Sequence, residues 1–114
     1  EYYNIEDAEV ILIAYGTISR VCRSAIDELA EEGIKVGMVR PITLWPFPSQ
    51  AVLDAVAQPS VKKALAVEIS AGQMVEDARL AVNGLKEVAF LGYPGSKIAT
   101  VEEIIAKVKA LREE

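Results

Sequence analysis

The sequence contains no histidine, and its 114 residues include a single cysteine, Cys22. A disulfide within the chain is therefore excluded, and so are metal sites built from cysteine and histidine and acid–base catalysis by histidine. Much of ordinary enzyme chemistry is thereby unavailable to this chain alone. We expect it to hold no catalytic residue and no metal ligand.

Positive charge and long hydrophobic segments are also scarce. Twelve basic residues against seventeen acidic ones leave a net charge of −5, whereas phosphate backbones attract basic surfaces. The longest apolar run falls far short of the roughly 20 residues that cross a bilayer, and no basic segment precedes an apolar one as in a signal peptide. We therefore expect a cytoplasmic protein that binds neither nucleic acid nor membranes.

The length fits a single domain over residues 1–114, since domains commonly have roughly 100–150 residues. A hydrophobic content of 52% suits a small sheet covered on both faces, or a piece whose surface meets a partner. The first nine residues hold four carboxylates and two tyrosines, begin without methionine and show no period. Two interpretations stay open: a frayed terminus, or a domain excised from a longer polypeptide.

The chain is organised around residues 10–14, an apolar run that never alternates with polar residues. This pattern is typical of a parallel strand covered by helices on both faces. Gly16 then allows a sharp turn, and Thr17 or Ser19 is expected to cap the helix that follows. A strand, a tight turn and a helix start in this order form ligand sites in open α/β sheets.

The same design repeats along the chain. Strands are predicted near residues 34–39, 64–69 and 88–91. Apolar residues at helical spacing predict helices that begin near residue 18, at residue 48 or 49, and near residues 74 and 101. Thr100 and Glu103 match a capping box for the last helix. These elements predict a three-layer α/β/α sandwich with a mostly parallel sheet of four to five strands.

A proline-rich segment, residues 40–48, carries two aromatic side chains that need burial, Trp45 and Phe47. Its three prolines exclude a regular ladder, so an extended loop is predicted. The aromatic residues either pack on their own domain or anchor a neighbouring domain or subunit. Both interpretations stay open.

Two residues of possible chemical interest have simpler structural explanations. Cys22 lies on the apolar face of the first predicted helix, which favours core packing over redox chemistry. Glu68 ends an apolar strand, and such a carboxylate is more often satisfied by helix amides or an arginine than used as a ligand or an acid–base group.

Four segments together carry a specific resemblance: AYGTISRV at positions 14–21, VRPITLWPFP at 39–48, EISAGQMVEDARLAVNG at 68–84 and FLGYPG at 90–95. In this order they resemble the C-terminal, transketolase-C-like domain of the α subunit of 2-oxoacid:ferredoxin oxidoreductases, of the 2-oxoglutarate and branched-chain (2-ketoisovalerate) types. The resemblance implies that residues 1–114 come from the C-terminal part of a longer subunit.

The resemblance also implies a fold and a parent reaction. The Val10 strand should lie between the Lys35 and Ala64 strands, with the Val88 strand outside the latter, so that the connection order reverses at the Val10 strand. The parent enzyme performs coenzyme A-dependent oxidative decarboxylation of a 2-oxoacid with thiamine diphosphate, magnesium and iron–sulfur clusters, and passes electrons to ferredoxin. None of these cofactors is expected in this chain, whose implied role is packing against other domains and subunits of the enzyme.

Two functional hypotheses from different classes follow. The first is an assembly and docking domain, inactive alone, with Trp45 and Phe47 at an interface. The alternative is a free-standing module of flavodoxin-like shape that binds a nucleotide or an anion. For an anion the candidate residues are those of the two strand–turn–helix junctions and one nearby arginine: Thr17, Ser19, Ser70, Gln73 and Arg40.

Overall fold

The computed structural model describes residues 1–41, 48–68, 73–92 and 99–113. In these residues, five strands and four helices follow one another, and most strands are followed by a helix. The strands are β1 (Tyr2–Tyr3), β2 (Val10–Ala14), β3 (Val36–Val39), β4 (Lys63–Glu68) and β5 (Glu87–Gly92), and the helices are α1 (Ile18–Glu31), α2 (Ser49–Val56), α3 (Gln73–Val82) and α4 (Val101–Glu113).

The strands form one sheet in the order β1-β3-β2-β4-β5. Strands β2 to β5 are parallel, with Leu12 of β2 opposite Met38 on one side and Leu65 on the other, while β1 is antiparallel to β3. The chain goes from β2 to β3 and then returns to β4 on the opposite side of β2. The expected reversal at the Val10 strand is therefore confirmed.

Strand β2 is buried along its whole length and supplies both hydrophobic cores. Val10, Leu12 and Ala14 pack into one core with residues of α1 and α4, whereas Ile11 and Ile13 pack into a second core with residues of α2 and α3. Complete burial of each large aliphatic side chain contributes about 1.5–3 kcal/mol. The three-layer α/β/α architecture is thereby confirmed, and the chain has a core on each face of its sheet.

Helix α1 ends in a Schellman motif. Gly33 adopts φ +79°, its amide donates to the carbonyl of Ala30 at 3.0 Å, and the Ile34 amide donates to Leu29 at 3.0 Å. The left-handed conformation suits glycine because it has no Cβ. Ile34 and Leu29 also share the same core, so this turn leads the chain directly into β3.

Helix α4 begins with the predicted capping box. The amide of Thr100 donates to Glu103 Oε1 at 3.0 Å, and the amide of Glu103 donates to Thr100 Oγ1 at 3.1 Å. Two amides that an α-helix leaves unbonded at its start are satisfied by these reciprocal contacts.

The amino-terminal segment is ordered, and the interpretation of a frayed terminus was wrong. Tyr2 and Tyr3 pair with Val39 and Met38, which supplies partners to the outer edge of β3. Close contact also fixes the segment, since a Cβ added to Gly37 would lie 2.6 Å from the Cα of Ile5. Two paired residues are too few to produce a detectable periodicity, which explains the error.

No helix in the described part of the chain combines the length and the apolar character needed to cross a bilayer.

Candidate functional site

A concavity lined by described residues lies beside the start of α1, at the carboxyl ends of β2 and β3. It has a volume of about 570 Å³, within the range of roughly 300–1,000 Å³ that is usual for small-molecule sites. We call it the arginine cleft. Its walls are formed by Arg20, Arg23 and Arg40, by Tyr2 and Tyr3, by the turn residues Gly16, Thr17 and Ser19, and by Glu1 and Met38.

The turn between β2 and α1 is built differently from the sequence prediction. Gly16 has φ +76°, as expected of a tight turn. Neither Thr17 nor Ser19 caps the helix, however. Thr17 makes no side-chain cap hydrogen bond, and Ser19 Oγ donates to the Gly16 carbonyl at 2.6 Å. The amides of Ser19 and Arg20 donate to the carbonyls of Gly16 and Thr17 at 3.1 Å. Thr17 cannot cap because its own backbone is already helical, with φ −63° and ψ −28°.

The three arginines of the cleft differ in the side chains that they contact. The guanidinium of Arg23 lies over the ring of Tyr3, 4.4 Å from its centroid, and the Tyr3 hydroxyl donates to Asp27 Oδ1 at 2.6 Å. Arg40 Nη1 forms an ion pair with Glu1 Oε1 at 2.7 Å. Arg20 is exposed and, within the described residues, has no carboxylate partner.

The charges of α1 oppose its helix dipole at both ends. Its first turn contains Arg20 and no acidic residue, and its last turn contains Glu28 and Glu31 and no basic residue. Helix α4 has the favourable order, with acidic residues first and Arg112 last. A cation near a helix start costs about 0.3–1 kcal/mol at the surface, so the position of Arg20 is not explained by the stability of α1.

The structure brings together part of the predicted anion site. Thr17, Ser19 and Arg40 all line the cleft. Ser70 lies outside the described residues, and Gln73 begins α3 but its side chain lies outside them. The described cavity is on the β3 side of Gly16, whereas two of the five predicted residues, Ser70 and Gln73, follow β4.

Sequence reasoning missed Arg23 and Tyr3 as cleft residues. The signal for Arg23 was available in the sequence, because Arg23 follows Arg20 by three positions in a predicted helix and residues at this spacing share a face. Tyr3 could not be placed, since its contact with Arg23 depends on a strand of two residues whose pairing the sequence does not indicate.

The predicted interface residues, Trp45 and Phe47, lie outside the described residues. Glu68 is buried, and its Oε2 accepts a hydrogen bond from the amide of Val75 near the start of α3 at 3.0 Å. The prediction that helix amides satisfy this carboxylate is confirmed. A carboxylate at the amino-terminal end of a helix also matches the helix dipole.

Cys22 is a core residue, as predicted. It is fully buried beside α4 residues such as Ile104, and burial raises the pKa of its thiol to about 12. Because the thiolate is the form that attacks electrophiles and binds metals, this cysteine is chemically inert in the folded chain.

The described residues contain no group of three or more cysteine, aspartate or glutamate side chains placed to hold a metal ion. A chain with one buried cysteine does not fit an iron–sulfur cluster, which needs several thiolates. The long side chains that line the arginine cleft are mainly cationic and aromatic, an arrangement suited to binding an anion rather than a cation.

Comparison with known proteins gives consistent similarities. The family model for pyruvate:ferredoxin oxidoreductase core domain II matches residues 8–104. The ketoisovalerate oxidoreductase subunit VorB of Methanothermobacter marburgensis is 40% identical over 111 residues, covering 97% of this chain and 31% of the relative. The 2-oxoglutarate synthase subunit KorA of the same organism is 32% identical over 107 residues, covering 94% and 28%. The chain thus spans less than a third of these relatives.

Solved structures agree with this result. A 2-oxoglutarate:ferredoxin oxidoreductase from Magnetococcus marinus, determined with 2-oxoglutarate, coenzyme A and succinyl-CoA bound, matches with a TM-score of 0.82 and 27% identity, over 97% of this chain and 19% of that one. A split-gene transketolase, an inactive β4 tetramer, matches with a TM-score of 0.78 and 14% identity, over 97% and 41%. The latter similarity concerns the fold alone and agrees with the transketolase-like architecture expected from the sequence.

Proposed function

Because this chain belongs to the pyruvate:ferredoxin oxidoreductase core domain II family, we propose that it is an assembly and docking domain of a 2-oxoacid:ferredoxin oxidoreductase subunit. One observation carries the proposal: the alignment with VorB covers 97% of this chain but only 31% of the relative. A sequence that matches a relative almost end to end, yet fills so little of it, is explained as one domain of a longer subunit. We place residues 1–114 in the C-terminal part of that subunit.

The surface of the chain supports a docking role. Leu80 of α3 is 77% exposed, and Leu85 in the turn after this helix is 53% exposed. Large aliphatic side chains in water lose the stabilisation that burial would provide, and groups of them commonly mark contact surfaces. We propose that the remainder of the subunit covers Leu80 and Leu85, and that Trp45 and Phe47 form a second contact with a neighbouring domain or subunit.

The proposed parent reaction is coenzyme A-dependent oxidative decarboxylation of a 2-oxoacid in the cytoplasm, with electrons passed to ferredoxin. Thiamine diphosphate, magnesium, coenzyme A and the iron–sulfur clusters are assigned to other domains and subunits of the complex. This assignment is supported by the single cysteine of the chain, whose thiol is buried and has a pKa raised to about 12. The contribution of this chain is therefore packing, and the chain alone should not oxidise 2-oxoacids.

The docking surface is tested in the complete subunit, co-expressed with its partner subunits. Leu80→Ser should leave the unfolding free energy of the 114-residue chain within about 0.5 kcal/mol of the parent, as for other exposed positions. It should also reduce the fraction of subunit found in the complex by size-exclusion chromatography. The matched control is Ala106→Ser, an exposed position on α4, which should change neither quantity. An unchanged complex with Leu80→Ser would remove this surface from the proposal.

Trp45→Ala tests the second contact. If Trp45 packs on its own domain, urea unfolding of the 114-residue chain should show a loss of about 3–5 kcal/mol, the usual result of emptying an aromatic core site. If Trp45 anchors a partner, this loss should stay under about 0.5 kcal/mol while subunit association falls. A loss in the larger range would end the interface assignment of Trp45.

A further inference from the structure

The arginine cleft holds three of the five arginines of a chain whose net charge is −5. We propose that this cleft binds a phosphate group of a small molecule, with Arg20 and Arg23 as its ligands and Arg40 as a further cationic residue of the cleft wall. The shared chemistry is that of a phosphate or diphosphate, whether free or part of a nucleotide. The inference rests on the cleft itself and not on the proposed docking role.

The charge order of α1 favours an anion beside the start of this helix. Arg20 lies in the first turn, Arg23 follows three residues later on the same face, and the first turn has no acidic residue. Two cations near the positive end of a helix repel each other and the dipole. A bound dianion would reverse all three effects, because the helix start and both guanidinium groups would then attract it.

The arginines of the cleft have hydrogen-bond donors available for a ligand. Among the described residues neither Arg20 nor Arg23 forms an ion pair, whereas Arg79 donates to the Val88 carbonyl and Arg112 pairs with Glu9 at 2.8 Å. The Nε–H of Arg40 is buried and lacks a hydrogen-bond acceptor within the same part of the chain. Hydrogen-bond donors of the cleft thus remain unused.

The cleft is preorganised and has a suitable size for a ligand. The ring of Tyr3 holds the Arg23 guanidinium in place, and Asp27 in turn accepts a hydrogen bond from the Tyr3 hydroxyl, so this arginine is positioned before a ligand arrives. Planar guanidinium groups bind phosphate through two parallel hydrogen bonds. The cleft, of about 570 Å³, matches a small molecule.

Negative groups near the cleft limit what it can hold. The Glu1 carboxylate already pairs with one nitrogen of Arg40, and the Asp27 carboxylate accepts a hydrogen bond from the Tyr3 hydroxyl. The side chains of the three arginines and Glu1 carry a net charge of +2, and the amino-terminal ammonium of Glu1 adds one positive charge beside them. This charge matches one phosphate or a diphosphate, and it is too localised to follow a nucleic-acid backbone.

The test uses the 114-residue chain, which has a core on each face of its sheet. Inorganic phosphate, diphosphate and adenosine 5′-diphosphate are titrated separately at low ionic strength, and amide chemical shifts are followed by NMR. We expect saturable shifts at Thr17, Arg20 and Arg23 with a Kd below about 1 mM for at least one of the three. Equal affinity for diphosphate and the nucleotide would assign recognition to the phosphates, and tighter nucleotide binding would assign part of it to the base and sugar.

Variants separate the cleft from general charge attraction. Arg20→Gln and Arg23→Gln should each weaken binding at least about tenfold, whereas Lys62→Gln, an equal charge change at the opposite end of the sheet, should weaken it less than twofold. Arg20→Gln should also raise the melting temperature of the ligand-free chain by about 2–4 °C, because an unfavourable charge leaves the helix start. If Arg20 instead stabilised the fold, Arg20→Gln would lower the melting temperature of the ligand-free chain.

Three results would overturn the proposal. They are the absence of saturable shifts at the cleft with all three ligands, equal weakening by Lys62→Gln and Arg20→Gln, and a lower melting temperature for ligand-free Arg20→Gln. The docking proposal is unaffected by any of them, since it is measured by subunit association through Leu80.

Discussion

Raising the pH above 9 should destabilise the chain through one buried thiol. Cys22 is fully buried, and burial raises its pKa from 9.0 to about 12 because the thiolate is poorly solvated in the core. In the unfolded chain the thiol regains its ordinary pKa and loses its proton first. The stability due to this group is therefore fully present below pH 9.0 and is lost between 9.0 and about 12.

The size of the effect follows from the two pKa values. At pH 10 the unfolded thiol is about nine-tenths ionised while the folded thiol keeps its proton, which favours the unfolded state by about 1.4 kcal/mol. At pH 9 the corresponding value is about 0.4 kcal/mol. The result at pH 10 changes little if the folded pKa is one unit lower, because the folded thiol is still mostly protonated.

Tyrosine and lysine residues titrate in the same range, so the measurement compares the parent chain with Cys22→Ala. Urea unfolding is followed by circular dichroism, in the presence of a reducing agent, at about pH 7, 9 and 10. The alanine variant loses contacts equally at every pH, so the stability advantage of the parent should shrink by about 1.4 kcal/mol between pH 7 and 10. A difference that stays constant to within about 0.3 kcal/mol would refute the assigned role of burial.

Three further predictions concern stability. Thr100→Ala removes the hydroxyl that caps α4 and should lower the unfolding free energy by about 1 kcal/mol in thermal melts, whereas Thr100→Ser should retain most of it. Lys86 Nζ donates to the carbonyls of Val56, Gln58 and Val61, so Lys86→Met should lose about 1.5–3 kcal/mol in urea; an equal loss for Lys62→Met would contradict this reason. Gly37→Ala would bring the new Cβ to 2.6 Å from the Cα of Ile5, so hydrogen exchange should show faster opening of β1. Unchanged protection of the β1 amides would contradict this prediction.

Parts of the fold were predictable because the physical signal is local. The capping box needs only Thr100 and Glu103 at the correct spacing, and the uninterrupted apolar run of β2 reports burial on both faces. Helix ends such as Gly33 are similarly marked by a single residue with special backbone freedom. Such features depend on neighbours in the sequence and require no knowledge of the tertiary structure.

The candidate site was less predictable because it depends on contacts between distant residues. The sequence suggested Thr17 and Ser19 as caps, but the actual geometry of the turn makes Ser19 a donor to Gly16 instead. The cleft forms only when β1 pairs with β3 and brings Tyr3 against Arg23. No periodicity in the sequence marks that pairing, since β1 has two residues.

The two borders of the described sheet differ in length, and this affects how the chain should behave when expressed alone. One border is β1, with two residues, and the other is β5, with six. Edge strands expose backbone groups that another chain can pair with, and a longer edge offers more of them. Self-association during purification should therefore proceed through β5. To keep the chain monomeric we would first choose Ala89→Lys, which places a charge at a half-buried position of this strand.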